Sequence, residues 1–85
     1  MAPLNMSLKT RAQLRAARAL LDWTQSDLAE RCGLTSRSIH RLEDGDGILA
    51  TKVETLHKLQ AALEAAGVIF IPANGGGSGV RLRED

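Results

Sequence analysis

TQSDLAERCGLTSRSIHRLEDG, from Thr24 to Gly45, carries the punctuation of two short helices joined by a tight turn. Thr24 and Asp27 have the spacing of an N-cap and an acidic first turn, where a helix dipole favours negative charge. Leu28, Ala29 and Cys32 then share one face, and Gly33 stands where a helix closes in the left-handed conformation. This predicts a helix over 25–32. Leu34 reads as a buried plug in the turn and Thr35 as another hydroxyl cap. Ile39 and Leu42, spaced i, i+3, are the apolar stripe of a second helix over 36–44 that Gly45 stops. Every other residue of that helix points outward.

Upstream, Thr10 and Gln13 have capping-box spacing, and Leu14, Ala17, Leu20 and Leu21 recur at helical intervals, which predicts a helix over 10–21. Residues 1–9, with Pro3 and Asn5 and no periodicity, are expected to form a flexible arm. Downstream, Asp46 to Ala50 is a loop. Thr51 and Glu54 have the spacing of a further capping box, opening a longer helix whose buried face is Val53, Leu56, Leu59, Ala62, Leu63 and Ala66, with Gly67 as its stop. Residues 10–67 thus form one helical domain.

After Gly67 the composition changes to Val68-Ile69-Phe70-Ile71, a β-branched and aromatic run closed by Pro72. Beyond the glycine run from Gly75 to Gly79, Val80-Arg81-Leu82-Arg83 alternates as a half-exposed strand does. Two strands therefore end the chain, in a tail over 68–85. The fold class is mostly α, four helices followed by a two-stranded β segment.

With 85 residues the chain makes one small domain, near the lower limit for a single core, so burial at a subunit interface would matter. One Phe, one Trp and no Tyr, against many Ala and Leu, favour helix over sheet. A single cysteine, Cys32, excludes an intrachain disulfide. Neither a signal peptide nor an apolar run long enough for a bilayer is visible, which leads us to expect an intracellular protein without a membrane anchor. Net charge is only +1, yet residues 1–43 carry seven Lys/Arg against four Asp/Glu, so basic charge gathers where the helical pattern is densest.

Two short helices with a glycine-bearing turn, the second polar around a narrow apolar stripe, have the sequence form of a helix-turn-helix. Such a second helix fits the major groove of DNA, its N-terminal residues reaching base edges while the first helix crosses the backbone. Thr24-Gln25-Ser26-Asp27-Leu28-Ala29, Gly33-Leu34-Thr35, Ile39 and Leu42-Glu43-Asp44-Gly45 resemble the Cro/cI-type (XRE-like) helix-turn-helix of phage repressors and small bacterial regulators. The likeness spans roughly residues 14–67. It implies a lambda-repressor-like four-helix domain, a bacterial or phage-encoded protein of the cytoplasm associated with the nucleoid, and double-stranded DNA as partner.

The resemblance also assigns roles. Gln25 would contact a phosphate and brace the recognition helix, and Ser36, Arg37 and Arg41 would read bases. Arginine presents a planar fork matching the O6/N7 edge of guanine, so Arg37 and Arg41 favour G-containing half-sites. Ser38 suits phosphate or base, and His40 a flanking backbone contact or plain solvent. Arg18 and Glu43 occupy positions that form an internal ion pair in this family. Lys9, Arg11 and Arg15, near the first helix's start or on its outer face, are candidate phosphate contacts, with ordinary solvation as the plain alternative.

Other chemistries find no support. Asp44-Gly45-Asp46-Gly47 lacks the further oxygen ligands of a calcium loop. Cys32, His40 and His57 lack zinc-ligand spacing, so no metal site and no cofactor are expected. The glycine run lacks the Lys-Ser/Thr of a phosphate loop. No Ser/His/Asp or Cys/His constellation is present, and no enzyme activity is expected.

Val68 to Ile71 is apolar at every position, and a lone hairpin is only marginally stable. The tail is therefore expected to build a sheet across a two-fold axis, with Val68, Ile69, Phe70, Ile71, Val80 and Leu82 at a homodimer interface. An intramolecular hairpin folded onto the fourth helix is the alternative. The leading function is a sequence-specific DNA-binding regulator, a repressor that binds an inverted-repeat operator as a dimer. Its rivals are an antitoxin-type protein whose tail or fourth helix binds a protein partner such as a toxin or co-regulator, and a non-specific architectural DNA binder.

Overall fold

A computed structural model describes residues 7–84 of the chain. Thr10 opens α1 (Arg11–Leu20) with a complete capping box: its hydroxyl accepts from the Gln13 N–H at 3.0 Å, and Gln13 Oε1 accepts from the Thr10 N–H at 3.0 Å. Thr24 and Asp27 repeat the device at α2 (Gln25–Cys32), at 3.0 and 2.8 Å. The Asp27 carboxyl is held below the usual carboxylate range, chiefly because the Thr24 backbone N–H donates to it. Gly33 closes α2 with φ 71, a conformation glycine adopts without a Cβ clash. Thr35 then caps α3 (Ser36–Glu43) by accepting from the Ser38 N–H at 3.1 Å.

The start of α4 (Val53–Ala65) departs from expectation. The N-cap is Lys52, without a side-chain cap, so Glu54 falls one position short of closing a box with Thr51. Glu54 still sits in the first turn, where the dipole favours it. Val53, expected on the buried face, is 64% exposed, because it is the first residue of the helix and projects past the core. From Leu56 onward the stripe holds. Leu59 and Leu63 are fully buried, and Leu56 and Ala62 pack partly against the core.

That core is built from all four helices and β1, with Val80 of β2 packed partly against it. Leu14 and Ala17 of α1, Leu28, Ala29 and Cys32 of α2, Ile39 of α3 and Leu59 and Leu63 of α4 meet Leu8, Leu49, Val68 and Phe70. Each fully buried leucine or isoleucine contributes about 1.5–3 kcal/mol. Cys32 is free, as its isolation in the sequence requires, and burial pushes its thiol pKa up.

Residues 7–9 correct the expected flexible arm. Leu8 is 0% exposed, and its N–H donates to the buried Gln60 side chain at 3.1 Å. The Lys9 carbonyl accepts from the Leu49 N–H at 2.8 Å, tying this segment to the α3–α4 connection. A buried leucine with its backbone bonded on both sides belongs to the packed domain. The remainder of the expected arm lies outside the described residues.

The strands β1 (Val68–Ile71) and β2 (Gly79–Leu82) pair antiparallel within the chain, Val68 facing Leu82 and Phe70 facing Val80. β1 packs on α4, and β2 lies mainly against α1. Val68 and Phe70, expected at a subunit interface, are 2% and 4% exposed in their own chain, since their alternating side chains drop onto the helices. Ile69, Ile71 and Val80 are half-buried, and Leu82 is exposed.

Candidate nucleic-acid interface

The outer surface of α3 follows from its helical phase. Ile39 and Glu43, four apart, point inward, which turns Arg37 and Arg41 to the opposite side, one turn apart. They form a crest. Ser36 and His40 make one shoulder, both exposed, and Ser38 the other, half-buried with its Oγ accepting from the Thr35 hydroxyl at 3.0 Å. Neither Arg37 nor Arg41 makes a side-chain hydrogen bond or ion pair with another described residue.

Depressions flank the crest. One is lined by Thr24, Gln25 and Ser26 of the α2 start together with Ser36, Arg37 and His40. The other lies between Ser38 and Arg41 and the α4 approach, where Ala50, Thr51 and Thr55 line it. A ridge of guanidinium groups between two hydroxyl-lined hollows suits a groove whose two walls are phosphate backbones. The sequence marked Thr24 and Thr51 only as helix caps and gave Ser26 and Thr55 no site role, because a lone hydroxyl carries no periodic signal.

Beneath the crest, α1 holds α3 in place. Arg18 grips Glu43 with two bonds, Nε to Oε2 at 2.7 Å and Nη2 to Oε1 at 2.9 Å, and its Nη1 donates to the Trp23 carbonyl at 2.8 Å. Glu43 is 3% exposed, so the pair is largely removed from water. The bond to Glu43 raises the Arg18 pKa. Gln25 joins this lock, its Nε2 donating to Glu43 Oε1 at 3.1 Å. The carboxylate therefore binds α1, α2 and α3 together.

Arg11 and Arg15 are placed differently from the sequence expectation of phosphate contacts. Arg11 Nη1 donates to the carbonyls of Leu42 at 2.7 Å and Arg41 at 3.2 Å. Arg15 Nη1 donates to the Glu43 carbonyl and, at 2.7 Å, to that of Gly45. Both satisfy carbonyls that a helix C-terminus leaves without intrahelical partners, at the end where the dipole favours cations. The spacing of Arg11, Arg15 and Arg18, one face of α1 at i, i+4 and i+7, was the available signal. Lys9 keeps its exposed side chain at the start of α1.

Two buried glutamines do more than the sequence indicated, which marked Gln13 only as the partner of Thr10 in a capping box and did not mark Gln60. Gln13 Oε1 accepts from the Lys9 and Thr10 N–H groups, while its Nε2 donates to the carbonyls of Ser7 and Gly79. Gln60 receives Leu8. Together they join the chain's beginning to α4 and to the hairpin. Among the described residues, no group of three or more His, Cys, Asp or Glu side chains is arranged to hold a metal ion. None of the helices there is long and apolar enough to cross a membrane.

The geometry is that of a recognition helix presented by a four-helix scaffold. A comparison with protein families matches residues 14–65 to the helix-turn-helix family. The protein belongs to the Cro/cI-type (XRE-like) helix-turn-helix family of DNA-binding transcriptional regulators. A search of curated proteins gave no match.

Proposed function

We infer that the protein is a sequence-specific transcriptional repressor, which lays α3 in the major groove and blocks its operator by occupying it. The observation that carries this reading is the division of labour among the arginines. Arg11, Arg15 and Arg18 are consumed in holding α3, whereas Arg37 and Arg41 stand unpaired on its crest. Ser36 reads a base beside them. Gln25, Ser38 and His40 contact the flanking backbone, joined by the hydroxyls of Thr24 and Ser26. The protein acts in the bacterial or phage-host cytoplasm, at the nucleoid.

Two copies, associated through the C-terminal hairpin, set two recognition helices about 34 Å apart and so read an inverted repeat. Selection of bound sequences from random DNA tests the reading. It should enrich an inverted repeat with guanines in each half-site. Equal affinity for selected and scrambled DNA at fixed salt would instead mark a non-specific binder.

A protein-binding role, as in an antitoxin-type regulator, is favoured by one observation. Ile48 and Val53, exposed 70% and 64%, leave apolar surface at the α3–α4 connection. Co-purification of a second chain that Ile48→Ser abolishes would support it.

A further inference from the structure

His40 stands exposed on α3, three residues after Arg37 and four after Ser36, so the three side chains share one shoulder of the helix. The bond from Gln25 Nε2 to Glu43 Oε1 at 3.1 Å holds the start of α2 beside that shoulder. The hollow between them is lined by Thr24, Ser26 and Ser36, which bring hydroxyls, by Arg18 and Arg37, which bring positive charge, and by Gln25 and His40. Each of these side chains can donate a hydrogen bond, and no carboxylate is among them.

The acidic groups on and around α3 are engaged or lie elsewhere. Glu43 is 3% exposed and bonded to Arg18 and Gln25. Asp27 accepts from the Thr24 backbone N–H, and Asp46 faces Arg15 at 4.0 Å. Asp22, Glu30 and Asp44 do not line the hollow. Of the cations, Arg11 and Arg15 are bonded to carbonyls at the end of α3, Arg18 holds Glu43, and Arg31 lies over the Trp23 ring at 4.7 Å. Arg37 and Arg41 stand on α3 itself. His40 makes no side-chain hydrogen bond or ion pair with another described residue. An imidazolium at this position therefore finds no anionic partner within the described chain.

A phosphate of the DNA backbone seated in the hollow supplies one. Its oxygens only accept, and a bond from a charged donor is about twice as strong as a neutral one. We propose that His40 holds a DNA phosphate as the imidazolium ion, so that each chain takes up a proton on binding and grips DNA more tightly as pH falls. This deepens the DNA reading of α3 and rests on it. The sign follows from linkage: the bound state carries the extra proton, so affinity rises as pH drops through the range where imidazoles change charge. A backbone contact carries no sequence information, so every duplex gains alike, and each chain releases one further counterion.

Affinities of the full chain for the selected operator and for a scrambled duplex, measured at fixed salt between about pH 5.5 and pH 8.5, test this. The wild type should bind both about tenfold more tightly per chain at the acid end. Its log K should also fall more steeply with log salt there, by about 0.9 for each chain bound. Calorimetric titration in two buffers of different ionisation enthalpy should show the proton taken up. His40→Gln keeps a donor and loses the charge, so it should bind across the whole range as the wild type does at the alkaline end. His40→Arg, charged at every pH, should hold the acid-end affinity throughout. A His40→Gln chain as pH-dependent as the wild type overturns the role of His40 while operator binding stands. A pH effect confined to the operator overturns the phosphate contact in favour of a base. A chain that binds neither duplex at any pH overturns the DNA reading and the proposal with it.

Discussion

Arg18 of α1 and Glu43 of α3, twenty-five positions apart in the chain, meet through two bonds of 2.7 and 2.9 Å, with the carboxylate almost wholly buried. Breaking such a pair leaves an uncompensated charge out of water. Glu43→Ala should therefore lower the unfolding free energy by roughly 3 kcal/mol. In a double-mutant cycle with Arg18→Ala, the coupling should be about 1–3 kcal/mol. Urea denaturation of the four proteins measures it, and a coupling near zero would remove the lock from the account.

The crest residues should affect DNA affinity and leave the fold alone. Arg37→Ala and Arg41→Ala are each expected to cost about 1–3 kcal/mol on the selected operator and to relax base preference at one position. Gln25→Ala should weaken all sequences alike, with a small loss of stability because its bond to Glu43 goes too. Competition titrations against single-base operator variants distinguish the two behaviours. Unchanged selectivity in Arg37→Ala would refute its reading role.

Gln13 bonds four backbone groups from inside the domain. Replacing it by leucine keeps the bulk but strands those groups, at a cost of about 1–3 kcal/mol for each one left buried and unpaired. Thermal melting should show the loss, and amide exchange at Lys9 should accelerate. Wild-type protection at Lys9 in Gln13→Leu would mean that the α1 start holds this segment without the glutamine.

Asp27 gives the acid side of the stability profile a definite sign. Its folded pKa is depressed, first by the Thr24 backbone N–H. Its contribution is thus present above the ordinary carboxylate value of about 4 and is lost as pH falls through the lowered folded value. The difference in Tm between the wild type and Asp27→Asn should be present at neutral pH and shrink as pH falls below the ordinary carboxylate range. A difference that persists unchanged in acid would show that the carboxylate charge is not its source.

The helices and the outward face of α3 were legible because their determinants are local. Thr10 with Gln13, Thr24 with Asp27, and Gly33 after Cys32 act across four residues or fewer, a range that spacing alone spells out. Helical phase likewise put Arg37 and Arg41 opposite Ile39. Where the local signal was ambiguous, as at Thr51 and Lys52, the helix start moved by one residue and uncovered Val53.

What only the tertiary structure decided involves partners far apart in the chain. Arginines reach several ångströms on flexible stems, so Arg11 and Arg15 in sequence are equally suited to phosphate or carbonyl. Their choice was made when the C-terminus of α3 packed beside α1 and offered them its unpaired carbonyls. Gln13 and Gln60 became organisers because residues 7–9 pack beside α4 at Gln60 and beside the start of β2 at Gln13, and Leu8 became core by the same packing. The placement of the hairpin belongs here too. Sequence determined that two strands follow the helices, but only their packing against α1 and α4 buried Val68 and Phe70 and left Leu82 exposed, because which strand lies over the core depends on helices distant in the chain.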